Sequence, residues 1–143
     1  MEAGGDDRSQ GSEVGVTVVY LAHPAGASTK EEHLANRARA KRWFRWAAEQ
    51  GVAVVADWII YCEIWDDFRP KQRVAGLAHD DAHIACCHAF WAVGGRWSSG
   101  MLRGRETARR AGIPVVDLTY LGEEPPEWQT HKRLERIEQK GTT

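Results

Sequence analysis

The chain reads as a single α/β domain, a doubly wound parallel sheet of four or five strands with helices on both faces. Two observations predict this. Short continuous apolar runs rich in valine recur along the sequence, and between them the hydrophobic period lengthens from that of a strand to that of a helix. This alternation persists from residue 16 to residue 118 and is the signature of parallel strands joined by crossover helices. With 143 residues, 43% of them apolar, the chain can bury one core.

Each element follows in order. Residues 1–14, MEAGGDDRSQGSEV, offer almost nothing to bury and read as a disordered tail ahead of a domain spanning 15–122. VTVVYLA (16–22) is the first strand, stopped by Pro24 and Gly26 in the loop HPAGAS. A long helix begins after Ser28 or Thr29 as N-cap, with Glu31 and Glu32 in its first turn and Gly51 as its stop. Leu34, Ala38, Trp43, Phe44 and Ala47 recur at helical spacing, with Arg37, Arg39, Lys41 and Arg45 on the other side. VAVVA (52–56) is the second strand, and Asp57 and Trp58 stand at its carboxyl end.

The segment DWIIYCEIWDDFRP is either a short helix or a covering loop. Pro70 then opens a helix carrying Val74, Leu77, Ala78 and Ile84 near the i, i+3, i+4 positions. HAFWAV (88–93) is the third strand, the loop GGRWSSG leads into a helix over 101–111, and IPVVDL (113–118) is the fourth strand. Residues 123–143 read as a charged C-terminal helix and tail, with Trp128, Leu134 and Ile137 available to pack on the domain or on a partner.

Charge and composition narrow the function classes. Nineteen lysines and arginines against 20 acidic residues leave no net positive charge, so no nucleic-acid polymer is expected as partner. Three cysteines, Cys62, Cys86 and Cys87, fit a reduced, cytoplasmic protein better than a disulfide scaffold. No apolar run reaches the roughly 18 residues of a membrane span, and the acidic start is unlike a signal peptide.

In doubly wound folds, ligands bind at the carboxyl ends of the strands, near the switch in strand order. The loops at those ends therefore carry the candidate chemistry. In GGRWSSG the glycines permit a tight turn, Ser98 and Ser99 add hydroxyls, and the following helix presents its N-terminus to an anion. The spacing matches neither the P-loop nor the dinucleotide fingerprint, and a tight turn with a serine N-cap is the plain alternative. Trp58 and Trp97 lie at these loops, where each either stacks on a base or simply packs. Arg96 stands in the loop itself, while Arg103 and Arg105 also fit a solvated helix face.

VVYLAHP, Asn36 in the first helix, LAHDD before the third strand, GGRWSSGM after it and ARRAGIPV at the close, taken in their order and spacing, resemble the nucleoside 2-deoxyribosyltransferase-like superfamily, which includes nucleotide N-hydrolases. The resemblance covers residues 16 to about 118 and implies a flavodoxin- or Rossmann-like domain. It also implies binding of a small-molecule nucleoside or nucleotide, cleavage or transfer at the N-glycosidic bond, and a homodimer or larger homo-oligomer; no cofactor or metal is expected. Under it, Tyr20 orients the nucleophile and Asp80 holds the sugar or assists proton transfer to the base. Ser98 meets the 5′ side, and the HPAGAS loop with His23 lines the pocket; the strand-end rule adds Asp57, Trp58, Arg96, Trp97, Ser99 and Gly100 as candidate contacts. Members of the family attack C1′ with a glutamate to form a covalent glycosyl-enzyme.

The nucleophile is where this chain departs. The family glutamate aligns with position 104, which is Gly104 here, and Glu106 is the nearest carboxylate. Two residues turn a helix by about 200°, so Glu106 serves as nucleophile only if the helix start shifts or bulges. His23 replaces a small residue, and His88 stands where an aspartate usually opens the third strand. An inactive binding or sensing module on the same fold is the alternative function. HDDAHIACCH also spaces His79, His83 and Cys86 or Cys87 as a candidate zinc set, against small core cysteines and solvated histidines.

Overall fold

The structure is a computed structural model, and it describes residues 15–66 and 68–126. Four strands, β1 (Val18–Ala22), β2 (Ala53–Val55), β3 (Ala89–Ala92) and β4 (Val115–Asp117), form one all-parallel sheet in the order β2-β1-β3-β4. Around it run α1 (Lys30–Glu49), α2 (Trp58–Ile64), α3 (Pro70–Ala85) and α4 (Ser99–Arg110). A short 3-10 turn, Thr119–Leu121, follows β4. The predicted doubly wound α/β class is the observed one. The expected tail at 1–14 and the terminal helix with Trp128, Leu134 and Ile137 lie outside the described residues, apart from 123–126.

Strand pleating assigns the two faces. Tyr20 and Phe90 are register partners and stack at 5.5 Å, while their neighbours Leu21 and Trp91 point the other way. Gly104 of α4 and Ile84 of α3 pack on the Tyr20–Phe90 face. On the opposite face α1 brings Trp46 to 6.2 Å from Trp91. Trp43, Phe90, Leu21, Ile84, Val19 and Val93 are fully buried, and truncating such a residue costs about 2–5 kcal/mol.

Several element details differ from expectation. The stripe that α1 buries is Ala40, Trp43 and Ala47, whereas Leu34 and Phe44 are exposed at 51% and 38% and Ala38 is also exposed. One helix flank meets the sheet, so only the i, i+3, i+7 row is covered. Val74 and Ala78 of α3 are likewise exposed, and its inward row is Gly76, Asp80 and Ile84. The ambiguous DWIIYCEIW stretch is helix α2, held because the Trp58 indole N–H donates to the Leu21 carbonyl at 2.9 Å. Thr29 is the N-cap of α1 and accepts from the Glu32 N–H. No helix among the described residues is long and apolar enough to cross a membrane.

Candidate functional site

The order β2-β1-β3-β4 places the switch between β1 and β3, whose following helices α1 and α4 pack on opposite faces of the sheet, the position at which such folds open a crevice. A cleft of about 590 Å³ stands there, a size suited to a small-molecule ligand. Its floor is the Tyr20–Phe90 pair, its first loop is His23–Gly26, and its second is Arg96–Gly100. α2 and α3 close the remaining side with Trp58, Tyr61, Trp65 and Asp80.

The second loop is built by glycine and a cap. Gly94 has φ +100°, and a Cβ there would lie 2.6 Å from His23 Cδ2, so the close approach of the two loops requires glycine. Ser98 Oγ accepts from the Met101 N–H at 3.3 Å and starts α4 at Ser99, two residues earlier than the sequence pattern places it. Trp97 is fixed from three sides. It stacks on Phe90 at 6.4 Å, donates its indole N–H to Asp117 at 3.2 Å, and carries the Arg105 guanidinium at 5.1 Å from its ring centroid.

Electrostatics single out His23 and Asp80. His23 is 4% exposed, and its Nδ1 lies 2.7 Å from the Pro24 carbonyl, an acceptor, so the proton sits on Nδ1. Its Nε2 is a buried lone pair without a hydrogen-bond partner among the described residues. Burial lowers the His23 pKa to about 4, helped by the charges of Arg39 and Arg96 and opposed by the Pro24 hydrogen bond. Asp80 is raised to about 6, first by burial, while His83 and Arg103 pull the other way. Burial, and after it the nearby Asp80 charge, hold Tyr20 well above the usual phenol range, and among the described residues Asp80 Oδ1 has no hydrogen-bond partner.

Of the residues picked from sequence, the cleft gathers Tyr20, His23, Trp58, Asp80, Arg96, Trp97, Ser98, Ser99 and Gly100. Two fall outside it. Glu106 is on the exposed side of α4, because the helix runs regularly from Ser99 and turns position 104, not 106, toward Phe90. Asp57 is exposed beside His83, with 4.0 Å between Oδ2 and Nε2. Asp80 is thus the sole carboxylate lining the cleft among the described residues.

His88 serves the opposite end of the sheet, where its Nδ1 accepts from the Val18 N–H at 2.8 Å. The zinc alternative finds no support in the geometry. His79 bonds the Tyr61 hydroxyl at 3.1 Å, His83 stacks on Tyr61, and Cys87 is buried with its thiol pushed up to about 11 by burial. Among the described residues no three His, Cys, Asp or Glu side chains gather to hold a metal. Arg103 also has a structural partner, a two-pronged pair with Asp81 at 3.1 and 2.9 Å.

Sequence reasoning missed Tyr61 and Trp65, which stack at 5.1 Å and line the cleft. Their i, i+4 spacing just after the second strand's carboxyl end was the available signal.

No curated protein and no solved structure matches this chain. One family does, described as a domain of unknown function, DUF7768, and its match spans residues 17–118. That span contains all four strands and every residue that lines the cleft. The chain belongs to the DUF7768 family.

Proposed function

We propose that the cleft binds a nucleoside or nucleoside 5′-monophosphate and that the chain works as a binding module, with no covalent glycosyl-enzyme step. The aromatic walls carry this reading. Trp58, Tyr61 and Trp65 on one side and Trp97 on the other line the cleft with aromatic surface suited to packing against a base. Arg96, the Ser98 and Ser99 hydroxyls and the start of α4 suit the anionic 5′ side. The resemblance to nucleotide-cleaving proteins supports the same ligand class. Against a covalent mechanism stands Gly104, whose place a nucleophilic glutamate would need and whose surroundings leave it little room.

One observation favours a second reading. Asp80 holds its proton to about pH 6, and an acid in a cleft can protonate a departing base. Cleavage would then be a single displacement, water adding its oxygen to C1′ as the C1′–N bond breaks, the base leaving with the Asp80 proton and the water giving up a proton that returns to Asp80.

Thermal melts with nucleosides and their 5′-monophosphates, run beside chromatographic assay for free base, separate the two. Binding at 100 times Kd contributes about 2.7 kcal/mol, a shift of several degrees for a domain of this size. Stabilisation without base release is expected. Base release that Asp80→Asn abolishes and Glu106→Ala leaves intact would establish the single-displacement reading instead. No shift with any of these ligands would refute both.

A further inference from the structure

Residues beyond the family's matched span reach back to the cleft. After the 3-10 turn, the Glu123 carbonyl accepts from the Trp43 indole N–H at 2.7 Å, and Pro125 is fully buried. Glu124 sits between two arginines of α1. Arg42 donates to both of its oxygens at 2.8 Å, and Arg39 Nε donates to Oε2 at 3.3 Å. Burial raises the Glu124 carboxyl, but its bonds and charge contacts with Arg42 and Arg39 outweigh that and hold it below the usual range.

The contacts continue inward. Arg39 Nη1 donates to Asn36 Oδ1 at 3.3 Å, and Asn36 Nδ2 donates to the Ala25 and Gly26 carbonyls, also at 3.3 Å. Ala25 and Gly26 belong to the cleft's first loop. The same strap touches the second loop, because a Cβ on Gly95 would lie 3.0 Å from the Glu123 nitrogen and 3.2 Å from the Gly122 carbonyl carbon. Gly95 has φ +85° and immediately precedes Arg96 and Trp97.

We propose that Glu124 is a positioning residue for the cleft, setting the Ala25–Gly26 loop through Arg39 and Asn36 while the adjoining Gly122–Glu123 backbone braces the Arg96–Trp97 loop. In the HPAGAS loop, Asn36 bonds two successive backbone carbonyls, those of Ala25 and Gly26. Asn36 is oriented by Arg39, and Arg39 is oriented by Glu124. Ligand affinity therefore depends on a carboxylate that lines no part of the cleft. The affinity half of this inference rests on the cleft being a nucleotide site; the loop half does not.

Two measurements on the full chain test the halves separately. Hydrogen exchange without ligand reads residues 23–28 in Glu124→Ala, Glu124→Gln and Asn36→Ala, with Lys41→Ala, from the exposed Lys41–Glu63 pair, as control. Exchange in that segment should rise several-fold in Glu124→Ala and Asn36→Ala, less in Glu124→Gln, and not in the control. Calorimetry then uses whichever of the four deoxynucleoside 5′-monophosphates binds the unaltered chain most tightly. Glu124→Ala should weaken it three- to ten-fold, and adding Asn36→Ala to it should cost little more, since both break one chain of contacts. A lower Tm with unchanged exchange at 23–28 and unchanged Kd would make the strap purely structural and overturn the proposal. If none of the four, and no nucleoside or other nucleoside 5′-monophosphate in the thermal melts, binds the unaltered chain, the nucleotide reading fails, while the exchange data still decide the loop's dependence on Glu124.

Discussion

Gly104 stands against the ring of Phe90, so that a Cβ at position 104 would lie 3.0 Å from Phe90 Cε2 and 3.3 Å from Cζ. Phe90 is fully buried and stacked between Tyr20 and Trp97, which leaves the ring nowhere to retreat. Helix propensity favours alanine over glycine by about 1 kcal/mol, but overpacking costs about 1–3 kcal/mol. The overpacking term wins here. Gly104→Ala should destabilise the chain by about 1 kcal/mol and Gly104→Glu by more, measured by urea denaturation. Neither should release base, and a gain of activity in Gly104→Glu would show that the pocket tolerates a nucleophile there after all.

Asp80 gives a pH signature. Its pKa is about 6 in the fold against an ordinary 3.8, so the folded chain binds the extra proton between those values. Ionised Asp80 is a cost that is absent below about pH 4 and complete above about pH 6. Discounted for solvent at the cleft mouth, Asp80→Asn should stabilise the chain at pH 7.5 by about 1–2 kcal/mol and leave it nearly unchanged at pH 4. Paired denaturation curves at the two pH values check this, and an equal effect at both would remove the titration from the explanation.

His23 acts with the opposite slope. Its pKa falls from 6.5 to about 4 on folding, so the neutral ring contributes stability that is complete above pH 6.5 and is lost as pH drops toward 4. Roughly 3 kcal/mol of acid sensitivity between those limits belongs to this buried ring. His23→Gln should flatten the acid limb of the stability curve, and NMR titration of the His23 ring should show no protonation at pH 5.5. A ring that titrates near 6.5 would contradict the burial argument.

How much of this the sequence disclosed depends on the range of the interactions involved. β1 and β3 were legible because VTVVYLA and HAFWAV are continuous apolar runs, and the α4 start was nearly legible because Ser98 caps it through a local bond. Strand order then brought His23, Asp80, Trp97 and Ser98 to one crevice. The face of α1 was misjudged at Leu34 and Phe44 because apolarity does not say which row of a helix a sheet will cover. Glu124 was invisible for a different reason. Its role arises from a contact with Arg42, 82 residues away in the chain, that no local pattern encodes.

In the proposed function a base occupies the cleft between Trp58 and Trp97. Heteronuclear NMR of the indole N–H signals during titration with deoxynucleoside 5′-monophosphates addresses it most directly, because Trp58 and Trp97 each carry a fixed hydrogen bond, to Leu21 and Asp117. Saturable shifts of the Trp58 and Trp97 signals are predicted, with the Trp46 signal on the far face of the sheet unmoved. Titration to saturating nucleotide with both cleft signals stationary would contradict the account.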